Sequence, residues 1–286
     1  MSNNISSNVD ITSLLVQAKQ EGSISNASAN VLTAVDIGDR IREGLGVSVD
    51  DIQASEVILI TQLIDDSGSI RYGSNSQAVR DGHNSVLDAL GGGKQQQVDN
   101  MLAHTCYLNG TVLFPFRLVG SAERMDTHNY NPNGGTPLYE ESIVTLGRVL
   151  AKAQEFADSG VPVRTVTLIV TDGASTDSSR TANEVKTIIR DMLKKEIHIV
   201  AGMGIDDGST DFRQVFKDMG IRDEWILTPG STPSEIRKAF QVFSHSAVRA
   251  SQNATSFSST LGGGFTPVVQ PSGAVNFDSG SNNFFS

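Results

Sequence analysis

Residues 58–70, ILITQLIDDSGSI, form a run of strand-forming apolar residues that ends abruptly in two aspartates and two serines. The run begins at Val57 and is nearly continuous rather than alternating, which predicts a parallel strand that is buried on both faces. Two later runs, Val163 to Val170 and His198 to Gly202, have the same character. These three runs predict the centre of a parallel sheet.

Segments of helical periodicity alternate with these strands, which predicts the α/β class: a Rossmann-like, mostly parallel central sheet flanked by helices on both faces. The strand Thr111 to Val119 contains Pro115 and is placed toward a sheet edge, because proline cannot donate to a central ladder. A short strand, Trp225 to Leu227, comes last. Five helices are expected. The first buries Val79, Val86 and Leu90 and ends at the glycines 91 to 93, and the third buries Val185, Ile188, Ile189 and Met192 after a Thr181–Glu184 capping box. The other three are Leu138 to Ala157, Thr210 to Met219, and Thr232 to about Val248.

The composition changes twice along the chain and predicts three parts. Residues 1–54 are expected to be a helical extension that packs on the main domain, with the polar segment 22–30, GSISNASAN, between its two apolar faces. Residues 55–249 are the α/β domain. Residues 250–286 are a low-complexity Ser/Gly/Asn/Phe tail, either disordered or an assembly arm, because such a segment cannot bury enough apolar surface to fold alone. The apolar residues of the two faces and the tail phenylalanines are Ile11, Leu14, Leu15 and Ala18; Ile37, Ile41 and Leu45; and Phe257, Phe265, Phe277, Phe284 and Phe285.

The charge and the cysteine count argue against several classes of protein. The formal net charge is -10 and the longest basic cluster is Lys194-Lys195, so binding to nucleic acid is not expected. The single cysteine, Cys106, excludes an internal disulfide framework, and the polar start MSNNISSNVD resembles no secretion signal. No apolar run approaches the roughly 20 residues of a membrane-spanning helix. We therefore expect a cytoplasmic protein without a membrane partner.

Oxygen-bearing side chains collect where the predicted strands end. Asp65-Asp66-Ser67-Gly68-Ser69 follows the first strand, Gly134-Gly135-Thr136-Pro137 leads into a helix, and Thr171-Asp172-Gly173 follows the second central strand. Each motif alone has an ordinary interpretation as a turn or, for Thr136-Pro137, as a helix cap followed by a first-turn proline. Ligands bind beyond the carboxyl ends of the strands in an open parallel sheet, so the three motifs together indicate one site.

The side chains in these motifs are suited to a hard divalent cation, Mg²⁺ or alternatively Mn²⁺ or Ca²⁺. Asp65 and Asp172 supply two negative charges, and the hydroxyls of Ser67, Ser69 and Thr136 are neutral ligands that leave the cation electrophilic. An octahedral shell would keep room for water or for an oxygen from another molecule. An acidic side chain of a partner protein would complete such a shell well.

DxSxS at 65–69, GGTPL at 134–138 and TDG at 171–173, in this order on a βαβ framework, resemble the von Willebrand factor A domain with an intact metal-ion-dependent adhesion site. The resemblance covers roughly Ser55 to Val248. It implies that Ser67, Ser69 and Thr136 bind the metal directly, that Asp65 and Asp172 bind it directly or through water, and that a partner's Glu or Asp takes the open position. Asp66 is not a ligand in the family pattern.

The chain is similar to the soluble bacterial members of that family rather than to integrins or matrix proteins. Several of those members are linked to MoxR-type AAA+ ATPases, or to tellurite-resistance and phage-conflict gene sets. The resemblance therefore implies an adaptor or assembly factor, with such an ATPase or another conflict or stress-system component as a candidate partner. Self-assembly through the tail is a further candidate interaction.

Two other functions remain open at this point. The first is a metal-dependent phosphoester hydrolase in which Asp65 and the cation form the reactive centre. The second is a structural subunit of a larger particle, with the C-terminal tail as an assembly arm. We expect no catalytic residue, because no serine lies in a GxSxG setting and Cys106 lacks the signature of an activated thiol.

A few polar residues near the motifs have no assigned role. Asp66 is expected to cap the turn or to add to the negative field. His128 precedes the Thr136 loop and is expected to be a loop residue, although it could lie near the metal. Asp206, Asp207 and Asp211 follow a core strand, where they either enlarge the negative field or belong to a solvated loop.

Overall fold

The structure is a computed structural model that describes residues 10–92, 98–176 and 178–252. One sheet is formed by the strands β1 (Val57–Ile64), β2 (Met101–Tyr107), β3 (Val112–Leu118), β4 (Val163–Thr171), β5 (His198–Gly204) and β6 (Ile226–Leu227). The helices in the described residues are α1 (Ile11–Gln20), α2 (Asn26–Leu32), α3 (Val35–Glu43), α4 (Asn75–Gly91), α5 (Leu138–Asp158), α6 (Ala182–Lys194), α7 (Phe212–Asp218) and α8 (Pro233–Gln252).

The strands lie in the order β3-β2-β1-β4-β5-β6, and β3 alone runs antiparallel to its neighbour. The predicted mostly parallel sheet and the edge position of the Pro115 strand are thereby confirmed. From β1 the chain continues to β2 on one side of the sheet and reaches β4 on the other side. The carboxyl ends of β1 and β4 therefore flank a topological switch point, where α/β sheets form their ligand crevice.

Helices cover both faces of the sheet, as neighbouring residues of β2 show. The hydroxyl of Thr105 is hydrogen-bonded to Nε2 of His83 on α4 (3.1 Å), whereas the sulfur of Cys106 contacts the hydroxyl of Thr145 on α5 (3.3 Å). Successive residues of a strand point to opposite faces, so α4 and α5 lie on opposite sides of the sheet. Helix α8 packs on α4, and α6 packs beside α5. The predicted two-sided covering is confirmed.

The first three helices pack on the outer side of α5 rather than on the sheet. Gly147 of α5 permits this approach, because a Cβ atom there would lie 2.5 Å from Ile41 and 3.0 Å from Leu32. Helix α2 lies partly within the segment that we predicted to be a polar connection. That prediction was wrong because Ile24 and Ala29 of this segment are buried against the domain.

Helix α5 consequently has buried residues all around its circumference, including charged ones. Arg148 is fully buried, and its guanidinium donates to the carbonyl of Arg40 from Nε (3.1 Å) and Nη2 (2.9 Å). Lys152 is 1% exposed and donates to the carbonyl of Val47 and to Glu155 (2.8 Å). The sequence periodicity predicted only the apolar side of α5, because the polar side is covered by residues more than a hundred positions away.

Most other predicted elements lie within a few residues of the observed ones, with one omission. The strand β2 was not predicted, since His104 and Thr105 interrupt its apolar pattern; His104 is buried nonetheless and its Nδ1 lies 2.8 Å from the carbonyl of Phe114. Helix α8 extends to Gln252, past the expected end near Val248. The predicted tail lies outside the described residues from position 253 onward. No helix in the described ranges is long and apolar enough to cross a membrane.

The packing of α4 on α8 gives a direct test of the fold. A Cβ atom on Gly82 would lie 2.1 Å from the ring of Phe240, which is fully buried. We expect Gly82→Ala to lower the free energy of unfolding by about 1–3 kcal/mol, since the ring must move within a packed layer. Gly38→Ala on α3 is the control, because nothing lies within 4 Å of its Cβ position.

The control should be unchanged or more stable by about 0.5–1 kcal/mol, the usual gain of alanine over glycine in a helix. Urea unfolding of both variants measures the difference. Equal stability of the two variants would contradict the close approach of α4 and α8.

Candidate metal centre

Asp65 occupies the carboxyl end of β1 and is fully buried. Its backbone N–H continues the ladder by donating to the carbonyl of Val170 (3.0 Å). One carboxylate oxygen accepts from the backbone N–H of Ser67 (2.7 Å), and the other accepts from the hydroxyl of Thr171 (2.7 Å) and the backbone N–H of Asp172 (3.1 Å). The Asp65 side chain therefore joins the end of β1 to the end of β4.

The side chains of Ser67, Ser69 and Asp172 converge on one point. Asp172 Oδ1 accepts from the hydroxyls of Ser67 (3.2 Å) and Ser69 (2.7 Å), and the two hydroxyl oxygens lie 2.9 Å apart. Ser67 and Asp172 are buried, whereas Ser69 is exposed. The cluster is thus open to solvent on the side of Ser69.

The loop that contains Thr136 is held beside the first motif. Ser67 forms a parallel bridge with Gly134, and the backbone N–H of Gly68 donates to the carbonyl of Gly134 (3.1 Å). Thr136 is 6% exposed, and its hydroxyl would lie 3.8 Å from a Cβ atom on Gly173. The three predicted motifs therefore meet at one edge of the sheet.

Thr136 does not cap α5 in the way that its sequence context allows. The cap position is Pro137, with no side-chain cap hydrogen bond, and the helix begins at Leu138. The ordinary interpretation of Thr136-Pro137 as a capping threonine with a first-turn proline is therefore wrong.

Burial of carboxylates, reinforced by their mutual repulsion, dominates the electrostatics of the cluster. Burial raises the pKa of Asp172 to about 6, and the charge of Asp65 adds to this shift while the hydrogen bonds from Ser69 and Ser67 oppose it. Burial likewise raises the pKa of Asp66 to about 6, with a further contribution from Asp65. The hydrogen bonds to these carboxylates come from hydroxyls and backbone N–H groups, which are neutral donors. A cation would relieve this repulsion.

Asp66 points away from the cluster. This direction is expected, because side chains alternate along an extended segment and those of the flanking Asp65 and Ser67 face the cluster. Asp66 Oδ1 accepts from the backbone N–H of Asn109 (3.0 Å), and the Asp66 carbonyl accepts from the backbone N–H groups of Asn133 (2.8 Å) and Gly134 (3.1 Å). Asp66 therefore connects the turn between β2 and β3 with the Thr136 loop.

The remaining candidates do not join the cluster. The side chain of His128 is 91% exposed and lies 3.5 Å from Asp126, as expected of a loop residue. Asp206 and Asp207 accept hydrogen bonds from N–H groups of their own turn, and Asp211 caps α7 by accepting from Gln214. The charge of Asp207 does contribute to the raised pKa of Asp172.

Two residues that organise the site were not predicted from the sequence. The hydroxyl of Thr171 donates a hydrogen bond to the carboxylate of Asp65. The hydroxyl of Tyr130, a residue that is 1% exposed, donates one to the backbone carbonyl of Asp65 (2.6 Å). Thr171 stands next to Asp172 in the TDG motif and could have been selected on that ground. Tyr130 comes from the long loop between β3 and α5, and no local pattern identifies it.

The donor set decides which cation this cluster could hold. Within the described ranges no group of three His, Cys, Asp or Glu side chains is arranged to bind a metal. A cation here would instead be held by the carboxylates of Asp65 and Asp172 together with the hydroxyls of Ser67, Ser69 and Thr136. Such an all-oxygen set fits Mg²⁺, Mn²⁺ or Ca²⁺ and lacks the sulfur and nitrogen ligands that zinc prefers.

Comparison with solved structures agrees with this architecture. The pilus adhesin SpaC from Lactobacillus rhamnosus GG in its open conformation superimposes with a TM-score of 0.51 and 13% identity, over 69% of this chain and 31% of the adhesin. Proximal thread matrix protein 1 from the mussel byssus, with a zinc-occupied MIDAS motif, gives 0.47 and 16% identity over 68% and 49% of the two chains. A von Willebrand factor type A structure from Catenulispora acidiphila gives 0.44 and 18% over 67% and 43%.

A scan against protein-family models and a search of curated proteins give no match. The chain spans about a third of the adhesin and less than half of the other two proteins. At these identities the likeness to SpaC shows the fold alone, and the two weaker superpositions carry no argument. The fold is the one predicted from the sequence: a Rossmann-like, mostly parallel sheet with helices on both faces.

The hydrogen bond from Tyr130 to Asp65 gives a test of how the site is held. Tyr130→Phe removes a buried donor while keeping the ring, so we expect the free energy of unfolding to fall by about 1–2 kcal/mol. Tyr72→Phe is the matched control, because Tyr72 is 76% exposed. Chemical denaturation of both variants measures the effect, and a loss no larger than that of the control would contradict the buried hydrogen bond.

Proposed function

We propose that this von Willebrand A-type domain binds one divalent cation, with Mg²⁺ as the expected ion, and uses it to hold an acidic side chain of a partner protein. The ligands would be Asp65, Ser67, Ser69, Thr136 and Asp172. One observation carries the proposal: the hydroxyls of Ser67 and Ser69 and the carboxylate of Asp172 lie within 2.7–3.2 Å of one another at the switch point of the sheet.

The arrangement suits recognition because the charges and the exposure of the ligands differ. Two buried carboxylates, Asp65 and Asp172, would balance the charge of a divalent cation, while hydroxyl ligands leave it able to attract another anion. Ser69, on the exposed side, is the direction from which a partner could approach. A cation would supply the attraction for the incoming carboxylate, and the chain's own residues would hold the cation and exclude water from its buried side.

The hydrolase alternative fits the geometry of Asp65 less well. A carboxylate nucleophile must reach the substrate, whereas Asp65 is fully buried and its carboxylate accepts three hydrogen bonds at the strand ends. These contacts support a role in holding the site rather than in attacking a phosphate ester. We therefore propose an adaptor or assembly factor without catalytic activity.

The finer parts of the proposal rest on the sequence. A MoxR-type AAA+ ATPase or another component of a conflict or stress system remains the candidate partner, as implied by the family resemblance. The chain's single cysteine, Cys106, is free and buried, which is compatible with a reducing cytosol. We also keep the division into an extension at 1–54, a domain at 55–249 and a tail at 250–286 as a proposal.

Partner capture with and without a chelator tests the proposed function. Bait protein in Mg²⁺ should retain a partner that EDTA releases and that added Mg²⁺ restores. A Ser67→Ala, Ser69→Ala double variant should fold normally and lose at least about tenfold in metal affinity, because it lacks two ligands. It should therefore capture only background amounts of the same partner.

The control is Ser159→Ala, since Ser159 follows the far end of α5 and lies at the opposite edge of the sheet. It should capture as much partner as the unaltered protein. Capture that is insensitive both to EDTA and to the double variant would show that no metal bridge holds the partner. Release of inorganic phosphate from a model ester, lost in Asp65→Asn, would favour the hydrolase instead.

A further inference from the structure

The N-terminal extension approaches the candidate metal centre through α3, on which Arg40 makes the central contacts. Arg40 donates from Nη1 to Glu140 (2.9 Å) and from Nη2 to Glu141. These glutamates lie in the first turn of α5, four and five residues after Thr136. Glu141 is 3% exposed, so its charge depends on buried basic neighbours. Arg40 therefore fixes the helix end from which the Thr136 loop emerges.

Glu140 extends the same contact to the loop that follows Asp172. Its carboxylate accepts from the hydroxyl and the backbone N–H of Ser179, and its own backbone N–H donates to the hydroxyl of Ser178 (2.9 Å). The loops that carry Thr136 and Asp172 are thus joined to each other through Glu140, and Arg40 holds this glutamate from outside.

Two further contacts bring α3 to the same loops. Asp36, in the first turn of α3, pairs with Arg180 (2.7 Å), which ends the loop after Asp172. The Arg40 guanidinium also lies close to the turn between β2 and β3, where a Cβ atom on Gly110 would be 3.1 Å from Nη2. The neighbouring Asn109 is the residue that donates to Asp66. Helix α3 therefore contacts each of the three loops that surround the end of β1.

We infer that Arg40 is a positioning residue for the metal centre, so that residues 1–54 belong to the functional unit rather than to a separable extension. This inference rests on the proposed function, because it concerns the same site. Arg40 neutralises two adjacent carboxylates and holds the backbone segments that present Thr136 and Asp172. Residues behind metal ligands fix the orientation of those ligands and thereby contribute to metal affinity.

Some contacts of the extension lie at the far end of α5, away from the candidate metal centre. Gln17 donates to Asp158 (2.7 Å), and Gln154 donates to Glu21 (2.9 Å). On α3 itself, Arg42 pairs with Asp39 of the same helix (2.7 Å). Substitutions at Gln17 and Arg42 therefore serve as controls that distinguish the effect of Arg40 from a general weakening of the extension's packing.

The test measures Mn²⁺ binding to the full chain by titration calorimetry. Arg40→Met should raise the Mn²⁺ dissociation constant about tenfold, at the lower end of what loss of a group behind the ligands causes. Arg40→Lys, which keeps the charge but not the fork that contacts both glutamates, should lie between Arg40→Met and the unaltered chain. Arg42→Met and Gln17→Ala should bind Mn²⁺ as the unaltered chain does.

Hydrogen exchange of the metal-free proteins supplies a readout that does not depend on the cation. Arg40→Met should speed exchange in peptides that cover residues 134–141 and 178–180, and Gln17→Ala should leave them unchanged. If Arg40→Met folds poorly, Glu140→Gln replaces it, because Glu140 is partly exposed and the substitution removes its charge. Glu140→Gln should also weaken Mn²⁺ binding.

The outcomes separate this inference from the proposed function. If the unaltered chain binds Mn²⁺ and Arg40→Met binds it as tightly as Arg42→Met does, the inference is wrong and the proposed function stands. If the unaltered chain binds no Mn²⁺, the proposed function fails. Hydrogen exchange then decides alone whether Arg40 positions the loops, and unchanged exchange in Arg40→Met would overturn that too.

Discussion

The parallel register between β1 and β4 is the constraint on which the site depends. The ladder pairs Ile64 with Val170, and it therefore brings Asp65 beside Thr171 and Asp172 although the two segments lie more than a hundred residues apart. The carboxylate of Asp65 completes this junction by accepting two hydrogen bonds from the end of β4, besides a local one from the backbone N–H of Ser67. Because the side-chain period of a strand is two, a slip of one residue would turn Asp65 to the other face and separate the cluster.

The same arrangement concentrates negative charge where the protein gains little stability from it. Burial and mutual repulsion raise the pKa values of Asp66 and Asp172, so the ionised carboxylates oppose folding in the absence of a cation. The nearby Ser74 adopts a left-handed backbone conformation with φ of 67°, which is unfavourable for a residue other than glycine. Both features cost stability in the segment that follows β1.

The sequence predicted the parts of this site that local spacing determines. Asp65, Ser67 and Ser69 recur at every second residue after an apolar strand, and Thr171-Asp172-Gly173 follows another, so both motifs could be placed at strand ends. Thr136 was ambiguous, because a threonine before proline is also a typical helix cap. Most of the helices and five of the strands followed from periodicity and from capping signals such as the Thr181–Glu184 box, which the structure contains.

The features that were not predicted depend on contacts distant in sequence. Tyr130 reaches Asp65 from a loop, Arg40 reaches Glu140 from an element a hundred residues earlier, and β2 is stabilised by partners that pair its interior polar groups. Helix α2 was not predicted because its sequence is mostly polar; it packs against α5 and α6. In each case the contact involves a partner that no local pattern identifies.

The central claim is that the three motifs hold one cation. Crystals of the full chain grown with Mn²⁺ and measured at the manganese absorption edge test it most directly, because the anomalous signal identifies the ion by its element and shows its position. The account predicts a single strong peak about 2.0–2.3 Å from the hydroxyl oxygens of Ser67 and Ser69, beside Thr136 and Asp172. A fully occupied ion elsewhere with none at this cluster, or no ion at millimolar Mn²⁺, would contradict it.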